Sequence, residues 1–342
     1  MARKARPADA GKRAVAEPTG RAYLPGMSDI PDFLDHGRPA VPDLVVPRGV
    51  LGFHLPLRPV RGRLVRLGPL AEALLTRHDH HPVVAHLVGE ALALAAALAT
   101  ALKFQGSFSV QSKGDGPVRT LLADCTEFGA LRSYARVDSD ALDELLARDP
   151  APDARALLGS GYLAFSVDQG PDRERHQGIV AISGASLADM TDHYFQTSEQ
   201  LRSFVRLAAA PTEEGWRAGA LVLERIAGEG GIDPTLDAAG QEESWRTAVT
   251  LAGTLTDAEL LDDTLPAERL LYRLFGAEGV AAGAPRALAF GCRCSRARLT
   301  EILESFRAAE LDEMQTGGEI VMNCEFCNVG FGFPRASLRG RG

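Results

Sequence analysis

The sequence predicts an α+β protein: a mixed sheet-and-helix body, a helical linker and a small C-terminal module rich in cysteine. Three observations predict it. Short alternating apolar runs, broken by Gly- and Pro-rich turns and interspersed with helical stretches, occupy residues 52–225. An acidic segment with short helical patterns follows. Four of the five cysteines then crowd into the last 51 residues as two tight pairs.

The elements read in order as follows. Residues 1–48 are rich in Pro, Arg, Asp and Gly, lack periodicity and read as a disordered extension. A mitochondrial transit peptide and a true start at Met27 are the alternatives for the first residues. Pro59–Leu67 alternates as a strand does, and Leu70–Leu75 begins a helix. His78–Pro82 is a polar break. Val83–Lys103 is apolar on nearly all sides and predicts a buried helix. It carries His86, Gly89 and Glu90, which weigh against a membrane span. Phe108–Gln111, the turn Gly114-Asp115-Gly116-Pro117 and Val118–Ala123 predict a hairpin. Tyr162–Val167, Gly178–Ser183 and Ala218–Arg225 read as strands, with helices near Ser186–Phe195 and Ser198–Arg202. The body thus spans residues 49–228.

Gly228, Gly230 and Gly231 open the linker, residues 229–285. Glu242–Leu251 and Asp257–Leu261 are short helical candidates. Pro266 begins a helix bearing Leu270, Leu271, Leu274 and Phe275 on one face. Short acidic helices bury little apolar area alone, so the linker needs a neighbour to dock on. The last module spans residues 286–342. Leu299, Ile302, Leu303 and Phe306 mark one helix face, Gly317-Gly318 breaks the chain, and Ile320–Met322 leads as a strand into Cys324.

The formal net charge is −8. That weighs against nucleic acid as the main partner, since phosphate binding needs a basic surface. Charge is uneven: residues 1–26 hold six basic and two acidic side chains, whereas residues 229–285 hold eleven acidic and three basic ones. An odd cysteine count with two close pairs does not resemble a secreted disulfide framework and points to a reducing compartment. The N-terminus has no apolar core of a secretory signal.

Cys292-Arg-Cys294 and Cys324-Glu-Phe-Cys327 are 29 residues apart. Two such pairs can converge on one zinc ion, which favours four tetrahedral ligands and accepts thiolate well. Four protein ligands leave no open position, so the site is structural or regulatory rather than hydrolytic. A 57-residue module with one helix face and a short strand is too small to fold on packing alone. One residue between Cys292 and Cys294 is tighter than in ordinary knuckles, and Arg293, Arg296 and Arg298 surround the pair. Positive charge favours thiolate, the species that peroxides attack. Spacing alone favours a constitutive zinc module over a redox-switched one.

The chain resembles the heat-shock protein 33 family of redox-regulated chaperones. Leu102-Lys103-Phe104-Gln105-Gly106, Val110-Gln111 and Gly114-Asp115-Gly116-Pro117 are similar to that family's hairpin. Gly159-Ser160-Gly161-Tyr162, His176-Gln177-Gly178, and Tyr194-Phe195 with Ser198-Glu199-Gln200-Leu201 follow in the family's order, and the two cysteine pairs fall where the family has them. The resemblance covers roughly residues 50–330. It implies a cytoplasmic, ATP-independent holdase, not an enzyme, with neither nucleic acid nor membrane as partner. In the reduced state Cys292, Cys294, Cys324 and Cys327 hold one zinc ion and the chaperone is off. Oxidation forms the disulfides Cys292–Cys294 and Cys324–Cys327, releases zinc, unfolds the module and linker, and yields a homodimer that binds unfolding client proteins. This reverses the preference for a constitutive site. After Cys327 the chain reads Asn-Val-Gly-Phe-Gly-Phe-Pro, where Phe331 and Phe333 stand in for the family's usual aromatic.

The remaining candidates read blandly. His78-Asp79-His80-His81 reads as a solvated loop, because consecutive residues do not readily face one ion. Cys125 reads as a buried structural thiol. Asp189, Asp192 and His193 have no nucleophile arranged near them, and Trp216 and Trp245 read as packing residues. Three rivals remain: a constitutive zinc module serving as a protein-interaction platform, a zinc-containing nucleic-acid binder, and a thiol oxidoreductase using Cys324 and Cys327.

Overall fold

Strand and helix formers alternate along the body in a way that yields one long sheet with helices on its faces. The structure, a computed structural model, describes residues 44–101, 106–170, 173, 175–226 and 238–341. The N-terminal extension up to residue 43, Leu102–Gln105 and Gly228, Gly230 and Gly231 lie outside the described residues.

In chain order the body comprises β1 (Val45–Leu55), β2 (Val60–Arg66), α1 (Pro69–Leu75), α2 (Pro82–Ala99), β3 (Ser107–Gly114), β4 (Val118–Thr126), β5 (Ala130–Val137), α3 (Ser139–Arg148), α4 (Ala154–Leu158), β6 (Gly161–Asp168), β7 (His176–Ala181), α5 (Leu187–Thr197), β8 (Ser203–Thr212) and β9 (Gly215–Arg225). The linker supplies α6 (Ala238–Ala252), α7 (Asp257–Leu261), α8 (Ala267–Phe275) and the two-residue β10 (Ala281–Ala282). Then come β11 (Arg286–Phe290), α9 (Arg296–Glu304), α10 (Ala308–Met314), β12 (Glu319–Asn323) and β13 (Gly330–Pro334).

The main sheet runs β7-β6-β3-β4-β5-β11-β1-β2-β9-β8, with β10 beside β1. Its pairs are antiparallel except β11 with β5. Sequence reading put Arg286–Phe290 with the cysteine module; here it is a strand inside the body's sheet. β1 likewise starts at Val45, inside the segment read as a disordered extension. Pro47 and a register shift between Val46 and Val50 hide the strand pattern there. Ser198–Arg202 is not helical: α5 ends at Thr197, and Gln200 takes a positive φ of 51°.

Two of the sequence motifs prove to be one interlocked turn. The β3–β4 turn lies against Gly159-Ser160-Gly161, with Asp115 N donating to the Ser160 carbonyl at 3.0 Å and Gly116 N to that of Leu158 at 3.0 Å. The Asp115 carboxylate accepts from Ser160 N at 2.6 Å. A Cβ on Gly116 would stand 2.5 Å from the Leu157 carbonyl oxygen, so glycine is needed for the approach. These motifs build the body and lie apart from the cysteines.

Helix α2 packs on one face of the sheet, in a core that includes Leu121, Ala123, Cys125 and Val222. It is the one helix among the described residues long and apolar enough to cross a membrane, and most of it is buried. Its burial follows from an all-round apolar surface. The opposite face is shared. Over β1, β2, β9 and β8 the linker helices dock, burying Leu51, Phe53, Leu64, Leu221 and Leu223 against Trp245, Leu260, Leu271 and Phe275. Alternation along β4 and β5 puts Asp124 and its cross-strand partner Arg132 on that same opposite face.

The linker's acids meet arginines of the body. Arg206 pairs with Asp257 at 2.7 Å and Arg225 with Glu242 at 3.2 Å. Arg48, Arg58, Arg202 and Arg217 pair with Glu268, Glu278, Glu242 and Asp263. Arg66 donates to the carbonyls of Glu259 at 2.6 Å and Leu260 at 2.9 Å, capping the C-terminal end of α7. Hydrogen bonding from Arg202 holds the Glu242 carboxyl below its ordinary 4.5. Within the linker itself, the Thr256 backbone amide does the same for Glu259 and so steadies the start of α7. Carboxyls depressed in the folded state lend stability that is full above pH 4.5 and lost as pH falls through their folded values. Linker docking should therefore be flat from pH 7 to about 5 and loosen below about 4. Trp245, buried in the linker core with the Arg202 guanidinium 5.8 Å above its ring, reports this by fluorescence. An unchanged emission down to pH 3 would contradict it.

Candidate metal centre

Each cysteine pair is positioned by a different local device. Cys292 and Cys294 follow directly on β11, where Gly291 N donates to the Leu131 carbonyl of β5 at 2.8 Å. Cys294 precedes Ser295, the N-cap of α9, whose hydroxyl accepts from Arg298 N at 3.2 Å. That place beside a helix N-terminus favours a thiolate. Cys324 and Cys327 occupy the loop of the β12–β13 hairpin, closed by the pair Asn323–Gly330. Cys324 N donates to the Val329 carbonyl at 2.9 Å and Asn328 N to that of Cys324 at 2.8 Å. Asn328 takes a positive φ of 55°, which asparagine tolerates better than most residues.

The fold brings all four predicted ligands together. Their sulfurs lie within 4.8 Å of one another, and all four residues are buried. Cys292 Sγ is 3.5 Å from Cys324 Sγ, and Cys294 Sγ is 3.6 Å from Cys327 Sγ. A tetrahedral site with metal–sulfur bonds of about 2.3 Å needs sulfurs about 3.8 Å apart, so the cluster fits a four-thiolate metal ion. Hydrogen bonds from Cys292 lower Cys324 and bring Cys294 down to about 7. Cys292 itself is pushed up, first by its hydrogen bond with Cys294.

Around the sulfurs is a small separate core containing Leu299, Leu303, Leu311, Ile320, Phe331 and Phe333. Of the helix face read from sequence, Leu299 and Leu303 are buried, whereas Ile302, on the solvent side of α9, and Phe306, past its end at Glu304, are exposed. Arg296 clamps the module internally: it donates to the Gly332 carbonyl at 2.6 Å and lies over the rings of Phe331 and Phe333.

The body contributes residues that sequence reading missed. Arg132 on β5 lies over the Phe326 ring at 4.1 Å and pairs with Asp124 at 3.2 Å. Arg293, between two ligands, pairs with the same Asp124. Tyr134 stands 6.2 Å from Phe326, and Asn328 Nδ2 donates to the Arg77 carbonyl at 3.0 Å. Burial disfavours the charge on Arg132, while Cys292, Cys324 and Cys294 favour it. The His78–His81 loop, read as solvated, also touches the module: His78 Nε2 lies 3.4 Å from the Phe326 carbonyl oxygen, and His78 stacks on His80. Among the described residues, the cysteine cluster is the group of His, Cys, Asp and Glu side chains close enough to share a metal.

The other candidates have structural partners. Cys125 is fully buried and pushed up to about 12 by burial, an unreactive state. Asp189 forms a capping box with Ser186 at the start of α5. Asp192 accepts from the Ser203 hydroxyl at 2.6 Å. Trp216 packs at the margin of the α2 core.

Comparison with known proteins agrees with this architecture. The family model described as Hsp33 protein matches residues 49–334. The 33 kDa chaperonin of Caulobacter vibrioides (strain NA1000 / CB15N) is 40% identical over 284 residues, covering 82% of this chain and 92% of that protein. That of Nitrosococcus oceani is 34% identical over 280 residues, covering 82% and 89%. The crystal structure of the 33 kDa chaperonin of Thermotoga maritima shares the fold with a TM-score of 0.68 at 21% identity, covering 84% of this chain and 96% of that one. The match runs from β1 through the hairpin that holds Cys324 and Cys327, so body, linker and cysteine cluster together identify the chain as a member of the Hsp33 family.

Proposed function

We propose that this protein is a redox-regulated, ATP-independent holdase chaperone of the cytoplasm, held inactive by zinc on Cys292, Cys294, Cys324 and Cys327. The observation that carries this reading is the convergence of four buried thiols, contributed by two distant segments, in a module with little other core. Bound zinc would supply folding free energy to that module and keep the sulfurs as thiolates.

Oxidation removes the ligands. Four thiolates give four electrons to two molecules of peroxide, which take up four protons and leave as four waters. Two S–S bonds form, and the zinc ion is set free. Sulfur proximity alone leaves every pairing open; the family resemblance favours Cys292–Cys294 and Cys324–Cys327. A module without its ion cannot hold the knuckle against the body.

The linker, residues 229–285, then loses support. β11 is the covalent and structural junction: the cysteine module follows it in the chain, and β10 and α8 precede it. β11 is short and has only two register pairs with β5. Freeing the segment beyond Gly291 weakens its seat. Linker helices that undock leave the Leu51, Phe53, Leu64 and Leu221 face open to apolar segments of unfolding proteins. Dimerisation of the oxidised form belongs to the same proposal and is supported by resemblance.

Peroxide at elevated temperature tests the proposal. Zinc should leave as thiols disappear, and the oxidised protein should then suppress aggregation of a model client without ATP. Retained zinc, or zinc loss with no gain in suppression, would favour a constitutive platform and sink the switch.

A further inference from the structure

One contact between the cysteine module and the body centres on the Arg132 guanidinium. Phe326, the residue before Cys327, lies 4.1 Å beneath the Arg132 guanidinium and 6.2 Å from the Tyr134 ring. Both partners are on β5. Arg132 is only 18% exposed as a side chain, and its Asp124 partner only 8%. The same Asp124 takes Arg293, from between Cys292 and Cys294. One body carboxylate thus serves two arginines, while the knuckle's own Glu325 is engaged by Tyr134 on the same strand. The adjacent four thiolates with a divalent ion carry a net charge of minus two, and two disulfides carry none.

A half-buried cation gains most from a nearby anion, because solvent screens it poorly there. Its stacking on Phe326 is likewise strengthened by desolvation. With the thiolates present, Arg132 is balanced and the knuckle is held to β5. With the thiolates oxidised, Asp124 is left to serve both Arg132 and Arg293, Glu325 being engaged by Tyr134 instead, and closing the interface over two half-buried guanidinium groups that share one carboxylate is costly.

We infer that Arg132 is the body's sensor of the thiolate charge, a positioning residue that docks the Cys324–Cys327 knuckle on β5 while the four sulfurs are reduced and releases it when they are oxidised. This deepens the proposed function, resting on the reading of the four cysteines as a zinc-thiolate switch. It adds a step that metal-driven unfolding of the module does not require: the docked face itself turns unfavourable on oxidation, next to the β11 slot. Arg132 directly follows Leu131, the register partner of Phe290 and the acceptor for Gly291 N, so the charge contact and the end of β11 share one strand position.

The test uses the full reduced chain, metal-loaded, with no oxidant and no client. Arg132→Met keeps an apolar stem to pack on Phe326; Arg132→Lys keeps the charge. Cobalt loading checks that each variant still holds a four-thiolate site, through its thiolate charge-transfer absorption. Hydrogen exchange of the Gly291 amide then reads docking. Arg132→Met should exchange about tenfold faster than the parent with the cobalt spectrum unchanged, and Arg132→Lys should recover most of the protection. Equal protection in the parent and Arg132→Met overturns the inference. So does greater protection in Arg132→Met than in Arg132→Lys, which would make packing rather than charge the cause. Failure of the oxidised parent to gain holdase activity would instead defeat the switch reading, and these reduced-state measurements do not depend on it.

Discussion

Cys327→Ser is expected to strip the metal from the chain and unfold residues 292–341 while leaving the sheet intact. Cys327 is fully buried, in a cluster whose sulfurs lie within 4.8 Å of one another. Serine offers a poor ligand, and three thiolates bind zinc far more weakly than four. Structural zinc supplies on the order of 10 kcal/mol to small modules. The module's remaining apolar core, centred on Leu303, Leu311, Ile320 and Phe331, is too small to replace that. The sheet should hold, because β11 sits between β5 and β1 and hydrogen-bonds with both, while the linker helices that precede it loosen. Metal analysis and peptide-resolved hydrogen exchange check both statements. A Cys327→Ser protein that keeps one equivalent of zinc, or that loses zinc with β12 and β13 still protected, would show that the module does not depend on the cluster. Suppression of client aggregation by the reduced variant would link this unfolding to activity.

Legibility in the sequence divides along the range of the interaction. The ligand pairs are local, with one and two residues between their cysteines, and pairs at that spacing signal a metal site from composition alone. The β3–β4 hairpin and α2 were legible for a similar reason: a glycine turn and an unbroken apolar helix announce themselves within a few residues. The strand β11 was not. Its five residues are too few for a period, and its partners, Val45, Val46 and Ala130, lie more than 150 residues away in sequence. The docking surface was hidden for the same reason. Nothing near Cys324 in the sequence indicates Asp124, Arg132 or Tyr134. The arginines that are nearby, Arg293 and Arg296, turn out to hold Asp124 and β13. Ile302 and Phe306 fit a helical period, but Ile302 lies on the solvent side of α9 and Phe306 lies past its end.

The linker is where a substitution should uncouple activity from the thiols altogether. Helix α8 buries Leu270, Leu271, Leu274 and Phe275, and the Phe275 ring stacks on Phe53 of β1 at 5.5 Å. Phe275 is fully buried, so Phe275→Ala removes a ring the sheet face cannot readily collapse to replace, at about 3–5 kcal/mol. Helices as short as α7 and α8 have little stability of their own, so this loss falls on docking rather than on the sheet. The exposed ion pairs that tie the linker down are screened by solvent and do not offset it. Phe275→Ala should therefore open the linker in the reduced, zinc-loaded protein. The signs are a red shift of Trp245 emission, binding of an apolar dye and suppression of client aggregation without oxidant, with zinc content unchanged. The cysteine cluster lies in a separate core and shares no buried residue with α8. A fall in melting temperature with no dye binding would show that linker and sheet unfold together. Dye binding with no suppression would show that this face is not where clients bind, and would move the client surface elsewhere on the molecule.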